Sequence, residues 1–157
     1  MKKLTHTDLC NIGARWISKK GLPLAVVELK TLGEIPDVYA TDGKMSAIIE
    51  AKTSRSDFLA DAKKEWRKYP ERGIGHIRFY ICPEGLIKPD ELPEKWGLLW
   101  VNSKGRIIEK VSLFKGNLPS NSEFIQECNT SKHEDILYSI VRRFVQGQTE
   151  NLNIRYR

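Results

Sequence analysis

The sequence predicts a mixed α/β fold in one domain, with the element order α-β-β-β-α-β. Residues 5–21 place apolar side chains at helical spacing, whereas 22–30, 35–40 and 46–52 are short apolar runs typical of strands. A second helical pattern at 54–69 separates these runs from a fourth at 76–82. Because a helix connects the third strand to the fourth, we expect those two strands to be parallel.

Local signals support each element in turn. A threonine precedes the first helix as an N-cap, and two lysines and a glycine follow it at 19–21. Asp42-Gly43 is typical of a tight hairpin between the second and third strands. The second helix has Ser54 or Ser56 as N-cap and Asp57 in its first turn, and we expect one packed face made of Phe58, Ala62, Trp66 and Tyr69.

The remaining chain predicts additions to this core. Runs at 97–101 and 106–111 indicate a further hairpin, and 131–147 indicates a packed C-terminal helix carrying Ile136, Leu137, Ile140, Val141 and Phe144. A length of 157 residues suits a single domain at 1–157. We expect its core at about 5–82, a C-terminal elaboration at 83–150 and a loose tail at 151–157.

Composition narrows the class of partner. The net charge of +6 modestly favours nucleic acid. Cys10, Cys82 and Cys128 have no paired-ligand spacing, so we expect buried thiols, with neither a zinc site nor a disulfide-linked partner. The N-terminal residues lack an apolar signal region, and no run approaches the ~18 apolar residues of a membrane span. We therefore expect a cytoplasmic protein without a membrane partner.

The most informative stretch is Ile48 to Lys52, an apolar strand that carries two charges. Alternation places Glu50 and Lys52 on one strand face. Asp37 lies in the strand before the hairpin, and adjacent strands are about 4.8 Å apart, so the two carboxylates can face each other and bind Mg²⁺ or Mn²⁺. Lys52 could then position an attacking water. Equally, Glu50 and Lys52 could be neighbours on a solvated sheet face.

With this context, the chain resembles the PD-(D/E)xK nuclease superfamily over about 5–82, through Pro36-Asp37 and Glu50-Ala51-Lys52. The runs 49–69 and 78–86 are similar to the MmcB-type DNA repair branch. The resemblance implies a restriction-endonuclease-like mixed sheet and DNA as substrate. It also implies that Asp37 and Glu50 bind the metal, that the Ala51 carbonyl contributes, and that Lys52 assists hydrolysis in DNA repair or processing.

One departure from that family leaves the metal ligands open. Many members carry a glutamate on the first helix, where this chain offers only Asp8, which we interpret as a helix-dipole residue. Glu28, an acid in an apolar strand, is the best substitute, and Glu34 is the second choice. Glu28 could equally be a surface residue. A catalytically inactive DNA-binding or repair-accessory module is therefore the alternative, with an interaction scaffold ranked last.

Basic residues around the second helix indicate where DNA would bind. Arg55, Lys63, Lys64 and Arg67 could meet phosphates, the last three from a helix face opposite the packed one. A solvated, charge-balanced face is the plain alternative. Cleavage of both duplex strands would suggest a homodimer. We expect Asp61 to be a structural or supporting acid.

The three histidines carry no metal-ligand pattern. His6, His76 and His133 show no ligand spacing and no nearby acid in the sequence. We therefore expect each to be structural or exposed.

Overall fold

The computed structural model describes residues 3–29, 34–113 and 122–150, together with the backbone of 152–154. Its described helices are α1 (His6–Lys19), α2 (Arg55–Asp61), α3 (Glu65–Lys68) and α4 (Thr130–Val145). Its described strands are β1 (Leu24–Val27), β2 (Val38–Thr41), β3 (Ser46–Ala51), β4 (Ile77–Pro83), β5 (Trp96–Val101), β6 (Ile107–Val111) and β7 (Leu152–Ile154).

The strands form one mixed sheet in the order β6-β5-β4-β3-β2-β1-β7. β3, β4 and β5 are parallel, and the other pairs are antiparallel. The predicted mixed α/β class, the parallel pairing of β3 with β4 and the β5–β6 hairpin are confirmed. The C-terminal ends of the three parallel strands lie at the same end of the sheet. The charged residues of the strand pair β2–β3 also lie at this end.

Each face of the sheet covers a separate hydrophobic core. On one face, α1 buries Leu9 and Ile17 against alternate residues of the strands. On the other, Phe58 of α2 and Ile136 of α4 cover Tyr80 and its neighbours. All six residues of β3 are buried, and they alternate between the two cores.

The signals at the ends of α1 and at the hairpin act as predicted. Thr5 and Asp8 form a reciprocal capping box, in which the Thr5 side chain accepts from the Asp8 N–H and Asp8 accepts from the Thr5 N–H at 2.9 Å. Asp8 therefore serves the helix N-terminus. Gly43 adopts a φ of +94°, which a turn between β2 and β3 requires and which other residues rarely adopt.

The prediction of a single helix at 54–69 is wrong, because this segment forms two short helices. Ser54 caps α2 as expected, but α2 ends at Asp61, and Lys64 takes an extended backbone before α3 begins. Ala62 and Tyr69, predicted to pack, are exposed. The interruption rotates α3 relative to α2, because an extended residue breaks the 100° per residue progression of a helix.

Two predictions about the C-terminal part also change. Only Ile136 and Ile140 of α4 are buried, whereas Val141 and Phe144 are exposed, so its apolar stripe packs over part of its width. Within the predicted loose tail, residues 152–154 pair with β1 as a strand. The remainder of that tail lies outside the described residues. None of the described helices is long and apolar enough to cross a bilayer.

Candidate active site

The β2–β3 register brings the two residues predicted as metal ligands to neighbouring positions on adjacent strands. Val38 pairs with Ile49, so the next pair toward the strand ends is Asp37 and Glu50. Asp37 Oδ2 accepts a hydrogen bond from the Ala51 N–H at 2.8 Å. Burial raises the pKa of Asp37, and the charge of Glu50 raises it further. The two acids therefore interact electrostatically across the strand pair.

Glu50 is almost completely buried, with 2% of its surface exposed. Its Oε2 lies 3.4 Å from Lys52 Nζ and 3.5 Å from Lys64 Nζ. Its Oε1 lies 3.4 Å from Arg67 Nη2 but has no hydrogen-bond partner among the described residues. The alternative, that Glu50 and Lys52 are neighbours on a solvated sheet face, is wrong, since both are buried.

Asp61 is the centre of a buried ionic network behind Glu50. Its carboxylate lies 3.2 Å from Lys52 Nζ, 2.6 Å from Lys64 Nζ and 2.6 Å from Arg67 Nε, and it accepts from the Tyr80 hydroxyl at 2.6 Å. Burial would raise the pKa of Asp61, but hydrogen bonds and charge from Arg67, with Lys64 and Tyr80, hold it well below its usual range. Asp61 thus anchors Lys52, in agreement with the supporting role predicted for it.

The side chain of Arg67 is buried, so the prediction that this residue lies on an exposed helix face is wrong. Its side chain is 3% exposed and reaches Glu34 Oε1 at 3.1 Å as well as Asp61. Glu34 also accepts from the Ile74 N–H at 2.7 Å. Glu34, the second choice as a metal ligand, is therefore held by Arg67 and a backbone amide. The break between α2 and α3 explains both results, because it turns Arg67 inward.

The other basic residues occupy three different environments. Lys63 is exposed. Lys64 is partly exposed and turns toward Glu50 and Asp61. Arg55 forms a two-pronged ion pair with Glu91, at 2.7 and 2.5 Å. The structure therefore does not bring the four predicted DNA-binding residues onto one free surface.

On the α1 side of Asp37, the structure shows a contact that the sequence did not indicate. His6 Nε2 lies 3.2 Å from Asp37 Oδ1, and His6 Nδ1 lies 3.4 Å from Glu28 Oε1. The expectation that His6 has no acid partner is wrong. Its partners are the residue before β2 and the residue after β1, so no local spacing could have revealed them.

Glu28 lies next to this contact rather than inside β1. Its backbone has a φ of +49°, an uncommon conformation for a residue with a Cβ, and its N–H donates to the Asp37 carbonyl at 2.9 Å. Half of its side chain is exposed. The Glu28 side chain therefore contacts His6, which in turn contacts Asp37, and the Glu28 carboxylate lies at the solvent-exposed rim of the site.

Comparisons with known proteins bear on the fold. No family model matches the chain, and no curated protein does. A solved structure from Silicibacter pomeroyi, described as a protein of unknown function, aligns with a TM-score of 0.63 over 95% of this chain and 92% of that one, at 20% identity. The two chains share a fold. At this identity the likeness carries no information about activity.

Proposed function

We propose that this chain hydrolyses DNA phosphodiesters with a divalent metal ion and has a restriction-endonuclease-like fold related to the MmcB-type DNA repair branch. The observation that carries the proposal is the register of β2 and β3, which brings Asp37 and Glu50 to neighbouring positions at the strand ends. Lys52 lies beside Glu50, as the PD-(D/E)xK pattern requires. Neither the activity nor the DNA substrate follows from the fold alone.

The donor groups suit Mg²⁺ or Mn²⁺, which prefer oxygen ligands. Glu50 Oε1 is buried without a hydrogen-bond partner in the described part of the chain, so it retains lone pairs for a cation. The raised pKa of Asp37 has the same origin as in other paired carboxylates, namely burial and a neighbouring negative charge. A divalent cation bound by Asp37 and Glu50 would offset the repulsion between the two acids and the cost of burying their charge.

Each residue then has a defined task. Asp37 and Glu50 would hold the ion, with the Ala51 carbonyl as a further oxygen donor. When bound, such an ion generates a hydroxide-like nucleophile and offsets charge on the phosphate. Lys52 Nζ lies 3.2 Å from Asp61 and 3.4 Å from Glu50, a position from which it would stabilise the developing phosphate charge.

A second candidate is a catalytically inactive DNA-binding or repair-accessory module. The observation that favours it is the surroundings of Glu50, whose carboxylate already has Lys52, Lys64 and Arg67 within 3.5 Å. These three cations offset the negative charge of Glu50, which would otherwise attract a metal ion. In this case DNA binding would be the same in magnesium and in chelator.

The test is cleavage of labelled single-stranded, duplex and branched DNA in Mg²⁺, Mn²⁺ or chelator. We expect metal-dependent cleavage that is lost in Asp37→Asn and Lys52→Met and kept in two exposed controls, Asp90→Asn and Lys104→Met. Circular dichroism would establish that each variant is folded.

The other outcomes separate the competing functions. DNA binding without cleavage, unchanged by chelator and by Lys52→Met, would replace the nuclease by the accessory module. Weak binding without the steep salt dependence of phosphate contacts would indicate an interaction scaffold instead.

A further inference from the structure

A second group of potential ligands lies on the α1 side of the sheet. His6 and Cys10 are one helical turn apart on α1, and both face Asp37 at the start of β2. One ligand atom from each of these three residues lies within 4.8 Å of the other two. The group shares Asp37 with the proposed magnesium site and adds an imidazole and a thiol to that carboxylate.

Two of the three separations are close to those around a tetrahedral ion. Zinc lies about 2.3 Å from sulfur and about 2.0–2.1 Å from nitrogen or oxygen, so tetrahedral ligands are about 3.6 Å apart for nitrogen and sulfur and about 3.4 Å apart for nitrogen and oxygen. Here His6 Nε2 lies 3.2 Å from Asp37 Oδ1 and 4.0 Å from Cys10 Sγ, each within about 0.4 Å of the tetrahedral value. Cys10 Sγ lies 3.6 Å from the other ring nitrogen, Nδ1, and within 4.8 Å of the Asp37 carboxylate, so the thiol would shift toward Nε2 and Asp37 when an ion binds.

Glu28 occupies the position of an orienting residue. Its Oε1 lies 3.4 Å from His6 Nδ1, the ring nitrogen that does not face Asp37. Histidines that bind metals commonly donate their second ring N–H to a carboxylate, which fixes the ring and the tautomer. Glu28 combines this contact with an uncommon positive φ of +49°.

We propose that His6 Nε2, Cys10 Sγ and Asp37 Oδ1 bind a transition-metal ion of the Zn²⁺ class, with Glu28 orienting His6. Three protein ligands leave a fourth position for water or a ligand. Imidazole and thiolate select zinc or cobalt over magnesium. The exposed fraction of the His6 side chain, 38%, leaves this position accessible from solvent. The proposal stands whether or not the chain cleaves DNA.

Two carboxylates lie around this position. Asp37 Oδ1 and Glu28 Oε1 lie 3.2 Å and 3.4 Å from the two ring nitrogens of His6, and Cys10 Sγ lies 3.6 Å from Nδ1. A metal ion would offset the negative charge of these two acids. Asp37 can take part because Oδ1 faces His6, whereas Oδ2 accepts from the Ala51 N–H.

Cobalt substitution of the full-length protein tests the proposal, because a thiolate gives Co²⁺ a strong charge-transfer absorption in the near ultraviolet. We expect this band at one Co²⁺ per chain, its removal by Zn²⁺, and its loss in Cys10→Ala. The matched control is Cys82→Ala, which removes an equally buried thiol from the opposite core. His6→Ala alters a partly exposed residue and should also abolish binding without threatening the fold.

Glu28 provides an independent readout. Loss of an orienting partner typically costs about 10–100-fold in metal affinity, so we expect this loss in Glu28→Ala and substantial recovery in Glu28→Gln, whose amide oxygen still accepts a hydrogen bond. The proposal is overturned if folded wild-type protein shows no cobalt–thiolate band. It is also overturned if the band persists in Cys10→Ala or if His6→Ala binds Zn²⁺ as tightly as the wild type. These readouts do not involve DNA, so their failure is distinct from failure of the nuclease assay.

Discussion

Replacement of Asp61 by asparagine should strongly destabilise the protein. Asp61 is fully buried and is the shared anion of Lys52, Lys64 and Arg67. Asparagine keeps the shape and one acceptor oxygen for Tyr80 but removes the charge. Removing one partner of a buried ion pair typically costs about 3–5 kcal/mol, and here Lys52, Lys64 and Arg67 would be left with Glu50 as their shared carboxylate, at 3.4–3.5 Å. We expect a loss of that size in the free energy of unfolding.

Equilibrium unfolding in urea, followed by tryptophan fluorescence, measures this loss. Since small domains are stable by about 5–15 kcal/mol, the variant should remain partly folded, with a clearly lower midpoint. Asp57→Asn is the matched control, because Asp57 is on the same helix and 3.9 Å from Lys52 but is about half exposed. We expect less than about 1 kcal/mol from it. Similar losses for both variants, or a loss below about 1 kcal/mol for Asp61→Asn, would refute the reasoning.

The same residue predicts a dependence on pH. The pKa of Asp61 is lowered in the folded protein, so its stabilisation is complete above the unfolded value of about 3.9. It is lost as the pH falls through the lower folded value. The stability difference between wild type and Asp61→Asn should therefore shrink in acid. A difference that is unchanged from pH 7 to pH 2 would contradict this assignment.

Three further predictions concern separate parts of the molecule. Because burial and Glu50 raise the pKa of Asp37, its ionised form costs stability as pH rises, so Asp37→Asn in chelator at pH 7 should unfold no earlier than wild type; a loss above about 1 kcal/mol would contradict this. Lys63→Ala should lower the salt dependence of DNA binding by about one ion, because Lys63 is exposed, and Arg55→Ala should lower it less, since its guanidinium already pairs with Glu91; an equal reduction in the two variants would contradict this difference. Gly97→Ala would push a methyl group into the Phe79 ring and should cost about 1–3 kcal/mol on thermal unfolding, whereas wild-type stability would show that the ring moves freely.

Much of the fold could be predicted because its signals are local. The capping box at Thr5, the hairpin glycine at position 43 and the apolar runs of the strands each lie within a few residues. The pairing of Asp37 with Glu50 also followed, since a tight hairpin fixes the register of its strands.

The site itself could be predicted only in part, because its contacts join distant segments. The helical pattern at 54–69 continues through Lys64 in the sequence. In the structure the helix is interrupted there, and Arg67 turns inward to pair with Asp61. Periodicity describes one helix and its faces, and it carries no information about a buried carboxylate on a neighbouring strand. His6 was missed for the same reason, since Asp37 approaches it only in the folded chain.

The burial of β3 on both sides has a consequence for how this site can change. Glu50 lies between Ile49 and Ala51, which belong to the opposite core, so a shift of its backbone would disturb both halves of the domain. New chemistry at this strand must therefore arise by exchanging side chains at fixed positions. Lys64 is different, because it lies in the short connection between two helices and is partly exposed. Evolutionary change in specificity should be easier at that connection than along the strand, whose successive residues pack alternately into the two cores.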